Sequence, residues 1–243
     1  MPFFPPFSGL ISLLKKDAST EAKAKRVAQR EVDRYNAITG NPYLVSFPRT
    51  GSHWLRMLSE LYFERPTLVR PFHFRGSTNY LYLHHHDVDL DLQRENVIYL
   101  YREPVSTVYS QLTYHNMDLN CEDSIRQTTE LYANHVEKWL CRESFTTRKT
   151  ILNYGKLQAD LIPEFKKLTD HLGLPLDQDR LLSVSAQITK DKVKQKTVRH
   201  DDKVVNQCAD YADQRCTFKT KHEDLIWKVM LEGRPHLGEY FPR

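Results

Sequence analysis

Apolar and polar residues fall in blocks along this chain, and the period of the blocks keeps changing. Tyr43 to Phe47 is a short β-rich run that breaks at Pro48, and Trp54-Leu55-Arg56-Met57-Leu58-Ser59-Glu60-Leu61 then takes up helical spacing, ending near Arg65-Pro66. Asn79 to Leu83 reads as a strand running into His84-His85-His86-Asp87. Asn96-Val97-Ile98-Tyr99-Leu100-Tyr101 and Thr150-Ile151-Leu152-Asn153-Tyr154 are buried-strand runs, apolar and β-branched or aromatic. Helices are predicted over Thr20–Ile38, from Pro104 onward, over Cys121–Arg142, over Gly155–His171 and over Tyr211–Leu231. Gly40 with Pro42 stops the first of these, Pro104 suits a first helical turn, and Leu172-Gly173-Leu174-Pro175 closes the fourth. Ala186 to Val205 reads as a polar, lysine-rich loop, and Met1 to Lys16 as an apolar arm that caps the core. Strands alternating with helices predict a central parallel β-sheet flanked by helices on both faces, a three-layer α/β fold.

Composition narrows the class only a little. At 243 residues, 27% charged and 40% hydrophobic, the chain is expected to form one ordinary globular domain, 1–243. Within it, 1–40 is an arm and helix, 41–175 the core, and 176–243 a C-terminal loop and helix. The net charge of +4 suits a polyanionic small molecule and does not by itself argue for nucleic acid. Cys121, Cys141, Cys208 and Cys216 have no CxxC spacing, so they form neither a zinc pattern nor a disulfide framework and are expected to be reduced thiols. Met1 to Leu14 lacks a charged leader region and is too short to span a bilayer, so a cytoplasmic protein with no membrane contact is expected.

The chemistry concentrates where the first strand gives way to its helix. Strand, tight loop and helix N-terminus aim backbone N–H groups and the positive end of a helix dipole at an anion. Gly51 allows close backbone approach, Thr50 and Ser52 add hydroxyls, and Arg49 adds charge. The stretch lacks the lysine and second glycine of the common nucleotide loop, G-x-x-x-x-G-K-[ST]. Pro48-Arg49-Thr50-Gly51-Ser52-His53-Trp54 instead resembles the phosphosulfate loop of the sulfotransferases, P-K-S-G-T-T-W, with Arg49 in the lysine position. The strand ending in Arg102-Glu103-Pro104, with Ser110 eight positions after the arginine, resembles the same family's 3′-phosphate element. Tyr154-Gly155-Lys156-Leu157 and His171-Leu172-Gly173 resemble its strand ending in Tyr-Glu-Asp-Leu and its helix ending in Phe-Leu-Gly. The resemblance covers most of residues 41–175.

The resemblance implies the P-loop NTPase-like sulfotransferase fold. It also implies 3′-phosphoadenosine 5′-phosphosulfate (PAPS) as donor, with adenosine 3′,5′-bisphosphate (PAP) as product. Arg49, Thr50, Gly51, Ser52, His53 and Trp54 would hold the 5′ end, Arg102 and Ser110 the 3′-phosphate. Trp54 is placed against adenine by the resemblance, or in the core by its own chemistry, and Tyr154 carries the same two readings. In the cytosolic members a strand-end histidine is the base that takes a proton from the acceptor. His86 is the first candidate here and His85 the second, with strand alternation sending His84 and His86 to one face and His85 to the other. The family usually shows Thr-His at this point and a longer interval to the arginine, so the register of the three histidines is left open. A metal site is the rival reading of these histidines, but no partner set for an ion is evident, and none is expected. His135 is expected to be structural.

The family's late basic loop, Arg-Lys-Gly with Gly-x-Trp, is absent from this sequence; a residue within Lys192–Arg199 is the candidate to take its place over the 3′-phosphate. The implied function is sulfuryl transfer from PAPS to a hydroxyl or amine of a small-molecule acceptor. Rival readings are a P-loop small-molecule kinase and a non-catalytic nucleotide-binding protein of the same fold. Neither the acceptor nor the oligomeric state is legible, a homodimer being the candidate.

Overall fold

The computed structural model describes residues 29–142, 146–197 and 210–241. The chain divides into two compact units, Met1–Asn41 and Pro42–Arg243. In the first, the described residues form helix α1 over 29–36, and the Asn41 side chain donates to the Tyr35 carbonyl at 2.9 Å. The arm expected at Met1–Lys16 and the start of the helix expected from Thr20 lie outside the described residues.

The second unit opens with strand β1 (Tyr43–Ser46) and helix α2 (Ser52–Phe63). Then come β2 (Leu83–His85), β3 (Asn96–Tyr101) and α3 (Pro104–Tyr114). Helix α4 (Glu122–Val136) runs directly into a π-helical turn, Glu137–Cys141. Strand β4 (Arg148–Asn153) leads into α5 (Tyr154–Ala159) and α6 (Leu161–Leu172). Helices α7 (Gln178–Ala186), α8 (Lys190–Thr197) and α9 (Tyr211–Leu231) follow, and a 3₁₀ segment spans Pro235–Tyr240.

The four strands of the described residues are all parallel, in the order β2-β1-β3-β4. Every residue of β1 and β3 is buried, as expected of central strands covered on both faces. Alternation sorts their side chains into two cores. Leu44, Ile98, Leu100 and Leu152 join Leu55, Leu58, Phe165, Leu168 and Leu181 from α2, α6 and α7. On the other face Tyr99 and Tyr101 stack, Tyr99 meets His135 and Trp139, and Tyr101 meets Phe241. The unit is therefore the expected three-layer α/β fold. Burying β1 and β3 on both sides places their carboxyl ends side by side, and the loops leaving those ends face a common crevice.

Three expected elements are drawn differently. The strand expected from Asn79 is confined to Leu83–His85, because Leu81 and Tyr82 exchange backbone hydrogen bonds with Pro66 and Leu68 instead of with β1. The helix expected over Gly155–His171 is two helices broken at Asp160, whose φ of −143° is not helical. The lysine-rich loop expected over Ala186–Val205 contains helix α8, anchored by Ile188 and Val193 in the core cluster; residues 198–205 of that segment lie outside the described residues. Helix α7 was not anticipated.

Candidate active site

The loop between β1 and α2 is built on unusual backbone. Arg49 has φ +69° and Gly51 φ +98°, left-handed conformations that only glycine adopts without strain. Gly51 is the N-cap of α2, and no side chain caps that helix start. An uncapped helix N-terminus is a ready anion site. The Thr50 hydroxyl turns inward, donating to the Phe47 carbonyl at 2.8 Å, and its side chain is fully buried. Thr50 therefore locks the turn and does not line the cavity. Gly51 cannot be replaced freely, because a Cβ there would lie 2.2 Å from the Tyr154 ring. Trp54 meets the same ring edge-on, with centroids 6.2 Å apart.

The loop after β3 meets the first loop directly. Glu103 caps α3, its carboxylate accepting from the Val105 and Ser106 N–H groups, and Pro104 fills the first helical position. Arg102 is pinned on both sides of its backbone by one side chain: its N–H donates to the Tyr132 hydroxyl at 3.1 Å, and that hydroxyl donates to the Arg102 carbonyl at 2.5 Å. The guanidinium of Arg102 is then free to reach the Arg49 carbonyl at 3.3 Å and to lie 5.1 Å from the Tyr154 ring centre. Arg49 in turn donates from Nε to the Ser110 hydroxyl at 3.2 Å and lies over the Tyr114 ring. Arg49, Gly51, Ser52, His53, Trp54, Arg102, Ser110 and Tyr154 are thus brought together around one cavity.

The histidines divide as strand alternation predicts. His84 and His86 lie on one face, rings 4.8 Å apart and nearly perpendicular, and both line the cavity. His86 Nδ1 lies 2.8 Å from the Ser46 carbonyl. A carbonyl only accepts, so Nδ1 carries the proton and Nε2 keeps its lone pair. His84 Nε2 sits 3.1 Å from the Ser46 hydroxyl. Burial holds both imidazoles below the usual histidine range, the neighbouring histidines and the Arg56 charge acting in the same direction. His53, also buried, is pushed down to about 3 by desolvation and then by Arg56 and Arg49. His85 turns the other way. Its side chain is half exposed, its Nδ1 lies 2.5 Å from Asp87, and it does not line the cavity. Arg94 holds the other side of Asp87 at 2.7 and 2.9 Å.

His135, expected to be structural, supports the base candidate from behind. Its Nε2 donates to the His86 carbonyl at 2.7 Å, so its Nδ1 accepts from the Tyr99 hydroxyl at 3.0 Å. That fixes the backbone of His86 to β3 and α4. Among the described residues no cluster of His, Cys, Asp and Glu could hold a metal ion.

The two residues that brace one wall of the cavity were not anticipated. Arg56 and Glu60, one turn apart on α2, are both buried. The Glu60 carboxylate accepts from the backbone N–H groups of Thr67, Phe72 and His73 and from the Thr67 hydroxyl. The Arg56 guanidinium donates to Thr67 Oγ1 and to the Val69 and Arg70 carbonyls, and it lies over the Phe72 ring. Together they hold the segment from Thr67 to His73 against α2. Val69, Arg70 and Phe72 from this segment line the cavity. Tyr211 and Arg215 of α9 and Lys190 of α8 line it too. The cavity encloses about 880 Å³, enough for a nucleotide and a second small molecule together.

A parallel α/β sheet with an anion-binding loop at a strand end and a basic cavity defines a P-loop-like protein that handles phosphate- or sulfate-bearing ligands. The model of the sulfotransferase domain matches residues 80–232, more than half of the chain, and the chain belongs to that family. The matched span holds His84, His85, His86, Arg102, Ser110 and Tyr154; the loop at Pro48–Trp54 lies outside it. Among solved structures, mouse sulfotransferase SULT7A1 complexed with PAP is similar over 87% of this chain and 93% of its own, at 14% identity and a TM-score of 0.54. Retinol dehydratase in complex with androsterone and inactive cofactor PAP is similar over 82% of this chain and 83% of its own, at 13% identity and a TM-score of 0.52. At such identities the likeness is one of fold, and it is the P-loop-like sulfotransferase fold. No curated protein sequence matches the chain. Among the described residues no helix is long and apolar enough to cross a membrane.

Proposed function

We propose that the protein transfers a sulfuryl group from PAPS to a hydroxyl or amine of a small-molecule acceptor, with His86 as the base. The observation that carries this reading is the convergence of Arg49, Gly51, Arg102, Ser110 and His86 on one cavity. Each end of the donor has chemistry to meet. The 5′-phosphosulfate suits the uncapped start of α2 and the Arg49 charge, the 3′-phosphate suits Arg102 and Ser110, and the adenine suits the faces of Trp54 and Tyr154. PAP bound to two proteins of this fold supports the same donor.

The chemistry follows from charge. The acceptor oxygen or nitrogen attacks sulfur in line and gives its proton to His86 Nε2 as the bond forms. The bond from sulfur to the bridging phosphate oxygen breaks, and negative charge grows on that oxygen. Arg49 and the N–H groups at the start of α2 stabilise it there. A histidine held neutral by burial is ready to accept the proton at neutral pH. Holding the 3′-phosphate fixes the donor for this displacement.

The direct test is calorimetric titration with PAP, AMP and ATP-magnesium. Tight binding of PAP with a large preference over AMP is expected. Preference for ATP-magnesium would replace this reading with the kinase one. PAP binding without turnover across a broad acceptor set would favour a non-catalytic binding protein.

A further inference from the structure

We propose that the acceptor carries an anionic group, a carboxylate or a sulfate or phosphate ester, and that Arg70 is the residue that recognises it. The inference rests on the sulfotransfer reading and names the substrate class for the same site.

Among the described residues six cationic side chains line the cavity, Arg49, Arg56, Arg70, Arg102, Lys190 and Arg215, and no Asp or Glu does. The donor accounts for part of this charge. Arg102 donates to the Arg49 carbonyl and Arg49 to the Ser110 hydroxyl, so the three form one cluster around the nucleotide elements. Arg215 belongs with them: it shares α9 with Tyr211, whose ring packs 5.3 Å from Tyr109, the neighbour of Ser110 on α3.

Arg56 and Arg70 lie on the histidine side, where the acceptor must react. Arg56, then Arg49, then Arg70 add positive charge around the His53 imidazole, which also feels His86. The Arg56 guanidinium is committed to Thr67, Val69 and Arg70. Arg70 is different. It is exposed, it lines the cavity, and among the described residues its guanidinium has no carboxylate partner.

The backbone that presents it is costly to form. Val69 has φ +67° and Arg70 φ +53°, and both carbonyls are held there by Arg56. Non-glycine residues stay in that region only where the surroundings impose it, as they do around binding sites. An exposed arginine without a carboxylate partner, on a cavity wall that the histidines share, serves no neutral acceptor. A carboxylate or ester anion on the acceptor gives Arg70 its partner and orients the acceptor through a forked, charge-assisted contact.

The test uses matched pairs: 4-hydroxyphenylacetate and its methyl ester, 3-hydroxybutyrate and its methyl ester, glucuronate and glucose. Binding to the PAP-saturated full chain is measured by calorimetry, and kcat/KM with PAPS by sulfate transfer. In at least one pair the acid is expected to be favoured by about tenfold, the effect of one charge-assisted contact. Arg70→Gln is expected to erase that preference by acting on the acid alone, and to leave PAP affinity within about twofold. Three outcomes overturn the proposal: the neutral partner equals or beats the acid in every pair, no acid binds the PAP-saturated protein, or the preference survives in Arg70→Gln. Failure of PAP to bind the wild-type chain would instead remove the sulfotransfer reading, and this inference with it.

Discussion

Arg49 donates from Nε to the Ser110 hydroxyl across 3.2 Å, joining the loop after β1 to the second turn of α3. One residue was expected at the 5′ end of the donor and the other at its 3′-phosphate. Their contact makes the two ends a single unit before any ligand arrives. Arg49→Ala and Ser110→Ala are each expected to weaken PAP binding by about tenfold, and the double variant to lose less than the product of the two, because the two side chains bond each other. Calorimetric affinities of the four proteins complete the cycle; strict additivity would mean that the contact plays no part in binding.

His86→Ala is expected to leave PAP affinity within about twofold and to lower kcat by about 10²- to 10⁴-fold, the usual range for losing a general base. His85→Ala, whose ring faces Asp87 rather than the cavity, is expected to keep turnover. The reverse pattern in steady-state kinetics would move the base to His85.

The pH profile should show a displaced acid limb. Burial lowers the His86 pKa from its ordinary value of 6.5, so the neutral, proton-accepting form persists below that pH. The base is present above the depressed pKa and is lost as pH falls through it. A plot of kcat/KM against pH, which reports the free enzyme, is therefore expected to rise with a midpoint below 6.5. A midpoint at or above 6.5 would contradict the assignment.

Gly51→Ala places a Cβ 2.2 Å from the Tyr154 ring at a φ of +98°. Something must move, and both neighbours belong to the proposed donor site. PAP affinity is expected to fall by about tenfold or more, and a Tyr154→Ala background should recover only the steric part, leaving the backbone strain. Undiminished binding by Gly51→Ala would show that the ring does not need its place over the loop.

Glu60→Ala leaves three backbone N–H groups and a hydroxyl without their acceptor in a fully buried setting. A loss of about 3 kcal/mol in urea unfolding is expected, with a smaller loss for Glu60→Gln, which keeps one acceptor oxygen. A change within error for Glu60→Ala would mean that water replaces the carboxylate at little cost.

The contrast between Glu60 and Arg102 shows what the sequence can carry. Arg102 ends a continuous apolar strand and precedes a proline at a helix start, so the local pattern alone places it at a crevice. Arg56 and Glu60 stand four apart on a helix, the spacing of an ordinary surface ion pair, and nothing local says that the fold buries both. Their partners are carbonyls and N–H groups of a segment with no regular structure, which has no periodicity to detect. The same holds for Leu81 and Tyr82: their composition reads as strand, yet their hydrogen bonds go to Pro66 and Leu68. Helix α8 was hidden because only Ile188 and Val193 anchor it amid lysines. The sorting of His84 and His86 from His85 was legible, since it needs only the two-residue period of a strand. The inward turn of the Thr50 hydroxyl was not, since it depends on the left-handed backbone at Arg49.

The strand order β2-β1-β3-β4 has a consequence for how the protein comes into being. Among the described residues the earliest strand in the sequence, β1, is an inner one, and both of its edges wait for segments made later. The loop that follows it stays without its cover until Tyr154, the residue directly after the last strand, settles on Gly51. A chain cut short before that point would carry every residue of the loop and yet have no finished pocket. Occupancy by a nucleotide would therefore report that the chain has grown past Tyr154, and a ligand that binds only the covered loop would draw chains toward that form by mass action.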